Sequence, residues 1–121
     1  MGTLVISKKE NNKYKYTYNN RKGNILITSN SHETKAHCIS EINVLKRNFS
    51  SVQYQRYKTP SGKLYFKITI NGHLIGTSRK FTTPLLMDKG LNDFKTYFTT
   101  SEVLDFTEDV FECFPEVVFE E

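Results

Sequence analysis

Three histidines, two cysteines and thirteen carboxylates are the groups in this 121-residue sequence with the means to do chemistry. A zinc site needs ligands that share a helix face or flank a turn. His32 and His37 lie five residues apart, off a common helix face, and no acidic residue completes a zinc pattern with them. His37 beside Cys38 suggests a base and its nucleophile, but neighbours on a helix point about 100° apart. The pair reads more simply as a surface imidazole next to a core thiol. Six glycines form no phosphate-cradling loop. Carboxylates crowd the last twenty residues, with no segment around them to bury one and raise its pKa for acid–base work. The expectation is a protein that is not an enzyme, with no cofactor and no metal.

Charge is the stronger signal. Residues 1–98 hold all 17 Lys and Arg against five acids, a balance of +12; residues 99–121 hold eight acids and no base, a balance of −8. Such asymmetry points to polyanion binding or to an acidic tail that neutralises its own body. Lys13, Lys15, Lys63 and Lys67 fall on the outward faces of two predicted strands. Arg56 and Lys58 lie on a neighbouring strand, and Arg21 and Lys22 in an adjoining loop. Tyr65 sits between Lys63 and Lys67 on the same face. These nine are the candidate polyanion-binding residues: cations for phosphates and a ring on which a base stacks. The alternative is a solvated face whose lysines guard against edge pairing.

The elements that carry these residues are legible from periodicity. Leu64, Phe66, Ile68 and Ile70 alternate with Lys63, Tyr65, Lys67 and Thr69, the mark of a strand with one wet face. Tyr14, Tyr16 and Tyr18 alternate in the same way, and by analogy with the leucine and isoleucines they belong to the core. Further strands are predicted at 3–8 and 52–58, with turns at Glu10-Asn11-Asn12 and Pro60-Ser61-Gly62. Asn71-Gly72 signals a tight hairpin. Helical spacing then takes over at Cys38, Ile42, Leu45 and Phe49, and at Met87, Leu91, Phe94 and Phe98, with Thr34 and Thr83 as N-caps and Pro84 in the first turn.

A repeat emerges at an offset of 49. Gly23 matches Gly72, Thr28-Ser29 matches Thr77-Ser78, Thr34 matches Thr83, and Phe49 matches Phe98. Each unit reads as β-β-β-α, over 3–49 and 52–98. The fold class expected is α+β: two tandem units forming one pseudo-twofold domain of antiparallel sheet and two helices over 1–98, then an acidic extension over 99–121.

Gly62-Lys63-Leu64-Tyr65-Phe66-Lys67-Ile68, then Asn71-Gly72-His73-Leu74-Ile75-Gly76-Thr77-Ser78, then Asp88-Lys89-Gly90-Leu91, resemble the YegP-like (UPF0339) family of small bacterial proteins. Lys13-Tyr14-Lys15-Tyr16-Thr17-Tyr18 and Ile25-Leu26-Ile27-Thr28-Ser29 extend the likeness to residues 3–98. The first unit departs from the pattern in lacking an Asn-Gly pair, and the acidic tail lies outside it. The resemblance implies an α+β fold of tandem β-β-β-α units and no established activity.

The tail is the most individual segment. Val103, Phe106, Val110 and Phe114 fit a short helix capped by Ser101; Pro115 ends it and Val117-Val118-Phe119 reads as extended. Leaving Phe106, Phe111, Phe114 and Phe119 in water costs about 1.5–3 kcal/mol each relative to burial, so the tail is expected to dock on the body or on a partner. With no run of 18 apolar residues, no membrane association is expected. No secretory signal is read at 1–10, and Cys38 and Cys113 read as free thiols in a reducing cytoplasm. Three functional readings remain open: an interaction module for a protein partner or a second copy, a nucleic-acid-associated protein screened by its own tail, and a small-molecule site between the units.

Overall fold

The computed structural model describes residues 2–9 and 11–106. Strands β1 (Thr3–Lys8), β2 (Tyr14–Asn19) and β3 (Ile25–Ser29) precede helix α1 (Lys35–Arg47). Strands β4 (Val52–Lys58), β5 (Leu64–Ile70) and β6 (His73–Ser78) precede helix α2 (Pro84–Tyr97), and β7 (Glu102–Asp105) follows. The strands form one seven-stranded sheet in the order β4-β5-β6-β3-β2-β1-β7. The fold is α+β, as the sequence predicts, with two corrections. Among the described residues the strand count is seven, not six, and the sheet is mixed, because β7 runs parallel to β1.

Local chemistry sets the connections. Thr34 Oγ1 accepts from His37 N at 3.1 Å and Thr83 Oγ1 from Leu86 N at 3.2 Å, so each helix starts on the expected cap. Asn71 and Gly72 both take positive φ, 51° and 81°, which is the two-residue hairpin conformation that an Asn-Gly pair adopts with least strain. Gly62, at φ 93°, closes the β4–β5 turn.

Both helices cover the same face of the sheet. Leu4, Ile6, Tyr16, Tyr18, Ile27, Phe66 and Ile68 meet Cys38, Ile42 and Leu45 from α1 and Met87, Leu91, Phe94 and Phe98 from α2 in a single core. The Tyr14/Tyr16/Tyr18 stripe is therefore core, as expected. The buried tyrosine hydroxyls reach carboxylates on the helices. Tyr16 Oη donates to Glu41 on α1, and Tyr18 Oη donates to Asp93 Oδ1 on α2 at 2.5 Å. Burial first, and the adjacent carboxylate second, push both phenols far above their ordinary range.

Among the described residues no helix covers the opposite face. Register places one unbroken cross-strand row on it: Gln55, Lys67, Thr77, Thr28, Thr17, Val5 and Leu104, one residue from each strand in sheet order.

The start of the segment expected to be a helix capped by Ser101 is instead strand β7, and Val110 and Phe114 of that expected helix lie outside the described residues. Ser101 Oγ donates to Tyr97 O at 2.7 Å, completing the end of α2 rather than starting a new helix. The open edge of β1 then captures the chain: an unpaired strand edge offers a row of hydrogen-bonding groups to an extended segment. Lys46 Nζ donates to Ser101 O at 2.7 Å and Lys35 pairs with Asp105 at 2.9 Å, fastening both ends of β7 to α1. Phe106 N continues the pairing to Ile6 O at 2.8 Å. Its ring, a candidate docking residue, is 63% exposed. Phe111, Phe114 and Phe119 lie outside the described residues.

Candidate anion-binding site

The nine predicted polyanion-binding residues do not form one patch. Lys15, Tyr65 and Lys67 do share the helix-free face, and Lys63 has the same parity just before β5. Lys15 stands opposite Ser7 on the far half of the sheet, separated from Lys67 by β6 and β3. Lys13 is engaged with Glu33 at 2.8 Å, and that contact holds the Glu33 carboxyl below its usual range. Arg56 and Lys58 correct the expectation. They stand opposite Phe66 and Leu64, on the helix-covered face, and Arg56 lies 3.6 Å from Asp88 of α2. The cause is parity: they alternate in step with Val52 and Tyr54, which point into the core.

Arg21 and Lys22 find different company. The β2–β3 loop is fastened by Asn20, whose Oδ1 accepts from Lys22 N and Asn24 N, each at 3.0 Å. Gly23 at φ 87° completes the bend. The loop borders a cleft of about 490 Å³ shared with the β6–α2 connection and the first half of α2. Arg79, Lys80 and Lys89 line it from those elements, so five cations surround one opening. The sole lining carboxylate, Asp93, is already bonded to Tyr18. None of the five cations is ion-paired with a described residue. Phe81 forms an apolar wall, its ring against Gly90, where any Cβ would lie 2.8 Å from it.

The cleft continues onto the helix-free face through Lys80. Its Nζ lies 5.8 Å from the Tyr65 ring centroid. Tyr65 stacks on Tyr57 across the β4–β5 pair, with centroids 5.3 Å apart and planes at 20°. Lys67 Nζ lies 5.1 Å from the Tyr57 ring. Two half-exposed rings flanked by two lysines, Lys67 and Lys80, make a cation-rimmed aromatic platform. Sequence reasoning missed Arg79, Lys80, Lys89 and Tyr57. The only advance signal was that Arg79-Lys80 follows β6 in a connecting segment, as Arg21-Lys22 follows β2.

The histidines lie elsewhere. His32 Nε2 is 3.2 Å from Glu41 Oε1 and its ring stacks on Tyr16. Among the described residues no three His, Cys, Asp or Glu side chains are placed to hold a metal ion. No described helix is long and apolar enough to cross a membrane.

No protein-family model matches the chain. A UPF0339 protein of Acinetobacter baylyi is 30% identical over 108 residues, covering 88% of this chain and 97% of the relative. The UPF0339 protein YegP of Shigella flexneri is 30% identical over 110 residues, covering 88% and 98%. Two solution NMR structures share the fold: a UPF0339 protein of Shewanella oneidensis (TM-score 0.76, 22% identity, 88% of this chain and 92% of that one) and YegP of Escherichia coli, described as a protein of unknown function (TM-score 0.75, 22% identity, 89% and 95%).

Proposed function

The chain belongs to the UPF0339 family, and on that family's fold we propose that it works as a non-enzymatic binding module for single-stranded nucleic acid. The observation that carries the reading is the cleft of five cations with no ion-pair partner among the described residues, joined through Lys80 to the Tyr57–Tyr65 stack. Phosphates require charge and a concave, donor-lined surface; bases require exposed ring faces. Here the two lie side by side, so a strand that sets successive phosphates against Arg21, Lys22 and Lys89 can lay a base on Tyr65. The acidic residues after position 106 compete for the same cations from within the chain, at the high effective concentration that a tether provides.

We also read the scaffold as two β-β-β-α halves about a pseudo-twofold axis. Support comes from the central seam, where Thr28 faces Thr77 while Ile27 and Ser29 face Ser78 and Gly76. Ser29 Oγ accepts from Tyr16 N and Ser78 Oγ from Phe66 N, both at 2.9 Å, and the two hydroxyls donate onward to Asn30 O and Arg79 O. In this reading the cationic cleft lies between halves, with its helix from one and its loop from the other.

The test is fluorescence anisotropy with a labelled single-stranded oligonucleotide across a salt series. Single-strand binding falls with a log–log slope of about −0.7 per phosphate contacted, so engagement of all five cations gives a slope near −3.5. R21A/K22A/K89A lowers its magnitude by about 2. Replacing Glu108, Asp109, Glu112 and Glu116 with their amides tightens binding. Salt-insensitive binding, or none, by both the natural chain and the amide variant removes the proposal.

A further inference from the structure

A second groove, on the other side of the seam, has the opposite chemistry. It lies between α1 and the β5–β6 hairpin, has a volume of about 360 Å³, and gathers all three histidines of the chain, His32, His37 and His73, around Glu41. Its apolar lining comes from Val44, Leu45, Ile70 and Ile75. No lysine or arginine lines it. We propose that this groove is a binding site for a small organic cation: a primary ammonium head on an apolar or aromatic body.

Glu41 is the reason. Its carboxylate is held in one orientation, because Oε1 accepts from Tyr16 Oη and meets His32 Nε2 at 3.2 Å. His32 is fixed in turn by stacking on Tyr16, with ring centroids 6.0 Å apart and planes at 15°. Oε2 has no donor among the described residues, and the side chain remains 23% exposed, at the polar end of the groove. Glu41 is the only carboxylate lining the groove among the described residues, and Coulomb attraction in a partly desolvated groove is stronger than in bulk water. A partly exposed carboxylate of this kind favours a ligand that brings both an opposite charge and hydrogen-bond donors. An ammonium group supplies three donors to a carboxylate that has an acceptor to spare. The aliphatic floor then covers the ligand's body, and the exposed His37 and His73 rings border the mouth. A metal ion is a poorer fit, since no three potential ligands among the described residues are placed to share one. An anion is poorer still, because it would face Glu41 with no lining Lys or Arg to offset it.

In the two-half reading this groove is the counterpart of the cationic cleft. His32 and Glu41 stand where the cleft has Phe81 and Gly90, and there Phe81 fills the space that a side chain at Gly90 would need. The proposal stands on the groove's own geometry and survives even if nucleic acid does not bind the cleft.

The test is an amide chemical-shift titration of the full-length protein with three matched probes: 2-phenylethylamine, 2-phenylethanol and 3-phenylpropionate. Saturable shifts at His32, Glu41, Val44, His73 and Ile75 are expected with the amine, with affinity at least about tenfold above the alcohol and no saturation by the carboxylate. Glu41→Gln reduces amine affinity about tenfold or more and leaves alcohol binding unchanged. Val44→Trp, at a half-exposed position on the groove wall, blocks the amine and the alcohol while keeping Glu41. Equal binding of amine and alcohol, shifts outside the groove, or amine binding that Glu41→Gln leaves intact overturns the proposal. If Glu41→Gln fails to fold, the ranking of the three probes on the natural chain decides alone.

Discussion

Removing one oxygen atom tests how the helices are fastened to the sheet. Tyr18 is 1% exposed; its ring meets Phe94 edge-on at 5.3 Å, and its hydroxyl reaches Asp93 Oδ1 at 2.5 Å and Asp93 O at 3.2 Å. This contact joins β2 to α2 across 75 residues of sequence. Tyr18→Phe keeps the ring and its packing and deletes only the donor. A hydrogen bond to a charged acceptor contributes about 1.5–3 kcal/mol, and the half-buried Asp93 can recruit water, which puts the expected loss near 1.5–2 kcal/mol. The assay is urea unfolding followed by far-ultraviolet circular dichroism, with Asp93→Asn and the double variant completing a cycle. The midpoint is expected to fall with an unchanged slope, and the coupling energy to be about 1 kcal/mol or more. A loss below about 0.5 kcal/mol for Tyr18→Phe, or additive single effects, would show that the hydroxyl does not clasp the helix.

Other positions make further demands. Gly76 sits at the β3–β6 seam, where a Cβ would come within 2.7 Å of Thr28 O, a backbone atom that cannot swing aside. Gly76→Ala is expected to destabilise by about 1–3 kcal/mol in the same urea assay, and a neutral result would mean the seam is looser than described. High pH should weaken the fold: burial lifts the Cys38 thiol from 9.0 to about 11 and the Tyr54 phenol from 10.0 to about 12, and raises Tyr16 and Tyr18 as well. Each group holds its proton more tightly folded than unfolded, so this stability is complete below about pH 9 and is lost as pH climbs through 11 to 12; a urea midpoint flat across that window contradicts it. The same burial predicts that Cys38 in the native protein reacts with iodoacetamide far more slowly than in urea, and equal rates would place the thiol at the surface.

Short-range periodicity made most of the scaffold legible. The stripe of Met87, Leu91, Phe94 and Phe98 specifies its own helix, Thr83 and Pro84 fix where that helix starts, and Asn71-Gly72 fixes its turn, because each signal is contained within a few residues. Strand β7 was not legible, since Val103 and Phe106 satisfy a helical spacing, and only the vacant edge of β1, a hundred residues earlier, selects the extended form. The face of Arg56 and Lys58 is legible from their parity with Val52, which turns them toward the helices and away from Lys67. The cationic cleft was half visible. Arg21-Lys22 stood out as a pair, but Arg79, Lys80 and Lys89 join them only when α2 packs beside the β2–β3 loop. The gathering of three histidines around Glu41 was invisible for the same reason, since His73 arrives on a hairpin that is distant in sequence from His32.

The most direct test of the nucleic-acid reading is an amide chemical-shift map of the full-length chain titrated with a short single-stranded oligonucleotide at low salt. The shifts are expected over residues 20–24, 79–82 and 86–93, and at Tyr57, Tyr65 and Lys67, fading together as salt is raised. Shifts confined to α1 and β7, or a spectrum that does not change, would contradict it.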